Sequence, residues 1–443
     1  MADALTGLGD AVESFAKPNA RLRISGGVTE VFPSHVRVEG LSPFLRLDDC
    51  VRLEEHGRIF HGQAIRIDKR GALVKSFESN VGVGLGARVA LEGPLEIAPH
   101  ESWKGRVIDA LARPIDGRGP LALGDRRVLD RPPPNPMSRA RVSDPAPTGV
   151  AAIDAFTPLC KGQRLGVFAG SGVGKSTLLA MMTRSAAFDA VVICLVGERG
   201  REVRDFLDDA LGESARNAVI VVSTGDESPM MRRLAPLAAT SVAEFFRDCG
   251  QSVLLIMDSV TRYAHALREI ALSAGEPPAA NGFAPSVFAD IPRLLERAGP
   301  GRDGGGAMTA IFSVLVDGDN HNDPIADCIR GTLDGHLVLE REIAEQGRYP
   351  AINILKSISR LADRVWRSED RETIEAARGL VARFEDTRDL RMLGGYQPGA
   401  DAELDRAVRL TPRIYDALRQ SAQAPACMNA IVQLRRILAD ESA

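Results

Sequence analysis

The sequence predicts an α/β protein in three parts: an N-terminal β-barrel, a central parallel sheet covered on both faces, and a C-terminal helical domain. Three observations carry this expectation. Residues 21–93 are dense in short alternating runs such as Val36-Arg37-Val38, Val51-Arg52-Leu53 and Ile65-Arg66-Ile67. Gly26-Gly27, Pro33, Gly57 and Gly71 punctuate them, which is the pattern of a small antiparallel barrel. From about residue 150, short apolar runs at 165–168, 190–196, 218–222, 253–257 and 310–316 alternate with amphipathic stretches such as 238–249 and 287–298. Strands apolar throughout are buried on both faces, so they belong to a parallel sheet between helices. From about residue 365, Ile374, Ala377, Leu380, Val381 and Phe384, then Leu404, Ala407, Val408, Ile414 and Leu418, recur at helical spacing.

The remaining segments complete the division. Residues 1–20 read as a short helical segment, with Leu5, Leu8, Val12 and Phe15 on one face and Pro18 ending it. Residues 94–150 form a Pro/Gly-rich connector, and Arg131-Pro132-Pro133-Pro134-Asn135-Pro136 forbids helix and predicts an extended strap. The expected domains are therefore 1–20, the barrel at 21–93, the central domain at 94–364 including the connector, and the helical domain at 365–443. Gly82-Val83-Gly84-Leu85-Gly86 has no helix pattern after it and reads as a turn between strands.

Composition narrows the functional classes. Hydrophobic residues are 44% and charged residues 26% of the chain, the balance of an ordinary globular protein. A formal charge of −4 argues against binding nucleic acid by bulk electrostatics. No apolar run reaches the roughly 18 residues of a membrane span. The N-terminus carries acidic residues where a signal peptide needs basic ones. The six cysteines are far apart and lack metal spacing, which fits free thiols in a reducing compartment.

Chemistry concentrates at the ends of the central strands. Ala169-Gly170-Ser171-Gly172-Val173-Gly174-Lys175-Ser176-Thr177 follows one strand and opens a helix, the context that a phosphate-binding loop requires. Its glycines let backbone N–H groups curl around phosphate oxygens, and the helix N-terminus adds partial positive charge. Lys175 is the candidate cation for the β- and γ-phosphates, and Ser176 the hydroxyl ligand of Mg²⁺. Asp258, at the end of the run 253–257, is the candidate carboxylate for Mg²⁺; a helix cap is its alternative role. The run 190–196 ends in Gly197-Glu198-Arg199-Gly200-Arg201-Glu202, where Glu198 is placed to polarise a water near the γ-phosphate. A surface ion pair is its alternative.

Together these segments resemble the catalytic subunits of rotary ATP synthases and, more closely, the flagellar and type III secretion export ATPases. Pro350-Ala351-Ile352-Asn353-Ile354-Leu355-Lys356-Ser357-Ile358-Ser359-Arg360 is similar to that family's signature segment, and Gly394-Gly395-Tyr396-Gln397-Pro398-Gly399 to the export branch's C-terminal turn. The resemblance implies a RecA-like P-loop ATPase core. It assigns Glu198 as catalytic carboxylate, Arg199 as a γ-phosphate contact, Asp258 as the Mg²⁺ acid and Arg262 as a further active-site arginine. It also assigns Tyr349 to stack on adenine and Arg360 as an arginine finger reaching a neighbouring subunit. The residues 316–327, with His321-Asn322, lean towards the flagellar branch; Asn320 and Glu340 depart from the common pattern.

The same resemblance implies a cytoplasmic homohexamer, peripheral to the inner face of the membrane. Its implied partners are a stator or regulator protein at the N-terminus, an export gate, and chaperone–substrate complexes, with no nucleic acid. An injectisome ATPase is the neighbouring alternative. A Rho-like RNA translocase would want exposed aromatics on the barrel, whereas Phe32, Phe44, Phe60 and Phe77 fit core positions. A non-catalytic nucleotide-binding subunit would lack Glu198.

Overall fold

The computed structural model describes residues 24–79, 82–142, 144–302, 304–316 and 323–440. The expected N-terminal helix of residues 1–20 and residues 317–322 of the branch-specific stretch 316–327 lie outside them. The chain divides into two compact units, Met1–Leu95 and Glu96–Ala443.

In the first unit β1 (Ser25–Val31), β2 (Val36–Glu39), β3 (Asp49–Glu55), β4 (Arg58–Asp68), β5 (Gly71–Ser76) and β6 (Arg88–Pro94) close into a barrel, in the order β1-β2-β5-β4-β3-β6. β6 returns to pair with β1, which removes both sheet edges. The alternation sends Val36, Val38, Val51 and Leu53 inward. A Cβ at Gly26 would stand 2.0 Å from the Glu39 carbonyl oxygen, so the approach of β1 to β2 excludes any side chain there. Phe77 is buried and Phe60 packs against the core, as expected. Phe32 and Phe44 correct the expectation, being 37% and 55% exposed. Both lie in connections between strands, where no register assigns a side chain to the inner face.

The second unit holds β7 (Glu96–Ile97), β8 (Val107–Asp109), β9 (Arg127–Val128), β10 (Arg164–Ala169), β11 (Ala190–Glu198), β12 (Ala218–Thr224), β13 (Ser252–Asp258), β14 (Gly299–Pro300), β15 (Ala307–Leu315), β16 (Gly335–Leu339) and β17 (Ile358–Ser359). β7 pairs with β9; the others, among the described residues, form one sheet ordered β17-β16-β10-β15-β13-β11-β12-β8, with β14 beside β15. Its pairings are parallel except β17 on β16 and β14 on β15. The carboxyl ends of β10, β11 and β13 therefore point the same way, towards the crevice where open α/β sheets bind ligands.

The helices are α1 (Ala151–Phe156), α2 (Lys175–Thr183), α3 (Gly200–Asp205), α4 (Pro229–Asp248), α5 (Val260–Ser273), α6 (Pro285–Leu295) and α7 (Pro324–Thr332). They continue with α8 (Arg341–Glu345), α9 (Ala362–Val365), α10 (Ser368–Asp386), α11 (Arg388–Met392), α12 (Ala402–Leu418) and α13 (Ala430–Ala439). Two of them differ from expectation. α4 starts at Pro229 rather than near 238 and contains Pro236. Ser228 caps it by accepting from the Met231 N–H at 3.2 Å, and burial of Met230, Met231 and Leu234 offsets the bond that Pro236 forgoes. α6 ends at Leu295, and beyond it Arg297 turns inward. The Arg297 guanidinium donates to both Glu244 carboxylate oxygens at 2.9 Å and to the Leu129 carbonyl at 3.0 Å, fastening the connector to α4. Ile374, Val381, Ile414 and Leu434 of the C-terminal helices share one hydrophobic core with Leu165, Val167 and Ile193 of the sheet.

Candidate active site

The phosphate loop sits between a buried strand and an uncapped helix. β10 is buried beyond its first residue, and α2 begins at Lys175 with no side chain capping its N-terminus. Gly172 and Gly174 hold φ of 79° and 87°, the left-handed region that favours glycine. Val173, 1% exposed, anchors the loop in the core, while Ser171, Gly172, Ser176 and Thr177 face solvent. Gly170 joins the loop to β10. The Tyr349 ring lies against Gly174: a Cβ there would stand 3.4 Å from its Cε1. With 43% of the residue exposed, Tyr349 keeps surface open above the loop.

Lys175 and Asp258 meet. The Lys175 Nζ donates to Asp258 Oδ1, and both side chains are nearly buried. Helix capping does not fall to Asp258: Ser259 Oγ accepts from the Arg262 N–H at 3.3 Å and starts α5. The Asp258 carboxylate is thereby left for Lys175.

Glu198 ends β11 half-buried, beside the same pair. Its carboxyl is pushed up to about 7, first by burial, then by its hydrogen bond with Glu202 and by the Asp258 charge, with Lys175 opposing. Glu202 shifts the other way because Glu198 donates to it. The motifs give Glu202 no role, although a second carboxylate four residues on, in the first turn of the following helix, is a signal that could have found it. Gly197, at φ 69°, lets the aliphatic stem of Arg262 lie over β11: a Cβ there would be 3.1 Å from the Arg262 Cβ and Cγ. Arg199 is exposed, 3.6 Å from Glu202.

Arg360 is not brought to this cluster. It follows β17, whose residues pair with Gly335 and His336 at the amino end of β16, and its N–H donates to the Asp334 carbonyl at 2.9 Å. Its side chain is exposed, without a hydrogen bond or ion pair among the described residues. A cleft of about 700 Å³, lined by Arg139, Arg141, Arg164, Asp334 and Arg364, lies at those same amino ends, and no phosphate-loop residue lines it.

Among the described residues no group of three or more His, Cys, Asp or Glu could hold a metal ion. What the site offers is a hydroxyl, an acid pair, a cation and a glycine-bent backbone at a helix N-terminus, which suits a polyphosphate and leaves little for other anionic ligands.

Known proteins place the chain. Residues 149–359 match the ATP synthase alpha/beta family, nucleotide-binding domain, and residues 366–434 match the T3SS EscN ATPase C-terminal domain. The flagellum-specific ATP synthase of Rhizobium meliloti (strain 1021) is 51% identical over 98% of this chain and 93% of that protein. The type 3 secretion system ATPase of Xanthomonas euvesicatoria is 39% identical over 94% of each. The assembled ATPase EscN of the enteropathogenic E. coli type III secretion system superposes with a TM-score of 0.87 at 38% identity, covering 93% of this chain and 100% of that one. Loop, strand-end acids and helical C-terminus thus agree with one lineage: the chain belongs to the flagellar and type III secretion ATPase family, enzymes that hydrolyse ATP on the ATP synthase α/β nucleotide-binding domain.

Proposed function

We propose that the chain is the ATP-hydrolysing motor subunit of a flagellar-type protein export apparatus, assisting release, unfolding and export of substrate proteins. The convergence of Lys175, Asp258 and Glu198 at neighbouring strand ends carries the hydrolytic part. Lys175 exchanges Asp258 for the β- and γ-phosphates when nucleotide enters. Ser176 and Asp258 would hold Mg²⁺, because a hydroxyl and a carboxylate are hard oxygen donors of the kind that ion takes. When bound, Mg²⁺ neutralises charge on the phosphate oxygens. Glu198, ionised, takes the proton of the attacking water. Gly170, Ser171, Gly172, Val173, Gly174 and Thr177 form the phosphate cradle, Arg199 and Arg262 add positive charge, and Tyr349 stacks on adenine.

Arg360 completes the site of a neighbouring copy in a homohexamer. Its exposure and its place at the far ends of the strands support action in trans. EscN has been solved assembled and with its central stalk EscO, which favours a ring and a regulator partner here too. A stator protein at residues 1–17, an export gate, chaperone–substrate complexes and a peripheral cytoplasmic location complete the proposal. Among the described residues no helix is long and apolar enough to cross a membrane. The flagellum-specific relatives, at 51% and 52% identity, favour the flagellar role over the injectisome one.

Glu198→Gln tests the chemistry. The variant should bind ATP and retain it, with turnover reduced at least ~10²-fold; turnover at the native rate would remove Glu198 from the mechanism.

A further inference from the structure

Tyr349 does not hold its own place. The Gln420 N–H donates to the Tyr349 carbonyl at 2.9 Å. The Gln420 side chain is itself locked, accepting from the Ala151 N–H at 3.1 Å and donating to the Gly149 carbonyl at 2.9 Å. One residue before Tyr349, the Arg348 guanidinium lies over the Tyr415 ring of α12, its carbon 3.6 Å from the ring centre. Tyr415 is fixed in turn: its hydroxyl donates to Glu385 of α10, and its ring meets Phe384 edge-on at 6.4 Å between centres. Burial and Glu385 push the Tyr415 phenol up to about 12, which keeps it a neutral donor.

The stack has a cost. The Arg348 Nε is buried and has no hydrogen-bond partner. A buried guanidinium donor left unsatisfied is destabilising, and such groups call for an explanation beyond packing. Here the segment 348–350 is gripped on both sides, by Gln420 through the backbone and by Tyr415 through the ring. The gripped residue between them is the one whose ring rests on Gly174 of the phosphate loop.

We infer that Arg348 and Tyr415 are positioning residues for nucleotide recognition: their stack fixes the Tyr349 ring above the phosphate loop and so governs affinity for the base, without contact to the phosphates. The inference rests on the stacking role proposed for Tyr349. It separates from a general structural role because an inorganic tripolyphosphate has no base, and its binding is indifferent to where Tyr349 stands.

The experiment measures KM and kcat for ATP, and the inhibition constant of inorganic tripolyphosphate, on the full chain. Tyr415→Leu removes the aromatic face, whereas Tyr415→Phe keeps it and drops only the bond to Glu385. Arg348→Leu breaks the stack from the other side and serves if Tyr415→Leu fails to fold. The expected result for Tyr415→Leu or Arg348→Leu is an ATP KM raised about 2- to 30-fold, the range for a cation–π contact. The kcat should stay within about twofold and the tripolyphosphate constant should not move. Tyr415→Phe should remain near native. Tyr349→Ala serves as the reference and should raise KM in the same way. If Tyr349→Ala raises KM while Tyr415→Leu and Arg348→Leu do not, the positioning inference is overturned and the stacking role survives. If Tyr349→Ala leaves KM native, the stacking role itself falls and the inference with it. A parallel loss of tripolyphosphate binding would overturn the inference in favour of a general disturbance of the site.

Discussion

At the carboxyl ends of the central strands, Lys175, Asp258 and Glu198 form a half-buried cluster whose charges already have partners inside the chain. At the amino ends of the same sheet, the Arg360 side chain is exposed and has no hydrogen bond or ion pair among the described residues. Across β15, Met257 lies level with Gly166 of β10, whereas Arg360 lies level with Arg164, so Asp258 stands three residues, roughly 10 Å, further along the strands. The difference teaches how one chain can carry two halves of a site. A buried cluster has to exchange internal partners when substrate arrives, so its residues are bound to its own fold. An exposed cation just past an edge strand has no internal duty for its side chain, and its charge is available to another molecule.

Breaking the exposed end should have the largest kinetic effect. Arg360→Ala is expected to spare ATP binding to the monomer and to lower turnover by roughly 10³–10⁵-fold, the range for arginine fingers. Mixing it with the nearly inactive Glu198→Gln chain should restore hydrolysis, because some interfaces then pair an intact Glu198 with an intact Arg360. Co-assembly without recovery would assign Arg360 a local role.

The buried end should respond through stability as well as turnover. Lys175→Met leaves the Asp258 carboxylate buried and unpaired, so denaturant unfolding should show a loss of about 3 kcal/mol, the low end for stripping one partner from a buried pair. A stability equal to native would mean that water already serves Asp258.

A smaller effect should appear with pH. The Glu198 carboxyl is pushed up to about 7 from its ordinary 4.5, and in the proposed mechanism the ionised form is the base. The kcat/KM for ATP should therefore rise about tenfold per pH unit below about 7 and level off above it. The residual activity of Glu198→Gln should lack that slope. The stability sign is opposite: the folded carboxyl holds its proton more tightly than the unfolded chain, so its contribution declines as pH rises from 4.5 to about 7. The smallest effect closes the comparison. Arg360→Ala should change unfolding stability by no more than about 0.5 kcal/mol, as surface substitutions do; a large loss would reveal a hidden structural contact.

Much of the site was legible because its signals are local. Gly172 and Gly174 announce left-handed backbone, and five apolar residues before Asp258 announce a strand ending in an acid. The barrel and the helical C-terminus followed from periodicity. Local signals failed where distant packing decides. Pro236 sits inside α4 because buried neighbours outweigh its propensity, and Phe32 and Phe44 are exposed because connections carry no alternation.

The sequence by itself marked the residues proposed to carry chemistry and which strand or helix each one ends or begins, since backbone bends, caps and periodicities act within a few residues. Only the tertiary structure decided who meets whom. Lys175 finds Asp258 because β10 and β13 run parallel on either side of β15. Arg360 stands apart because β17 pairs antiparallel at the start of β16. Arg348 stacks on Tyr415 because the C-terminal helices share the sheet's core. Those meetings depend on strand order and burial summed over the whole unit, which no local run of residues specifies.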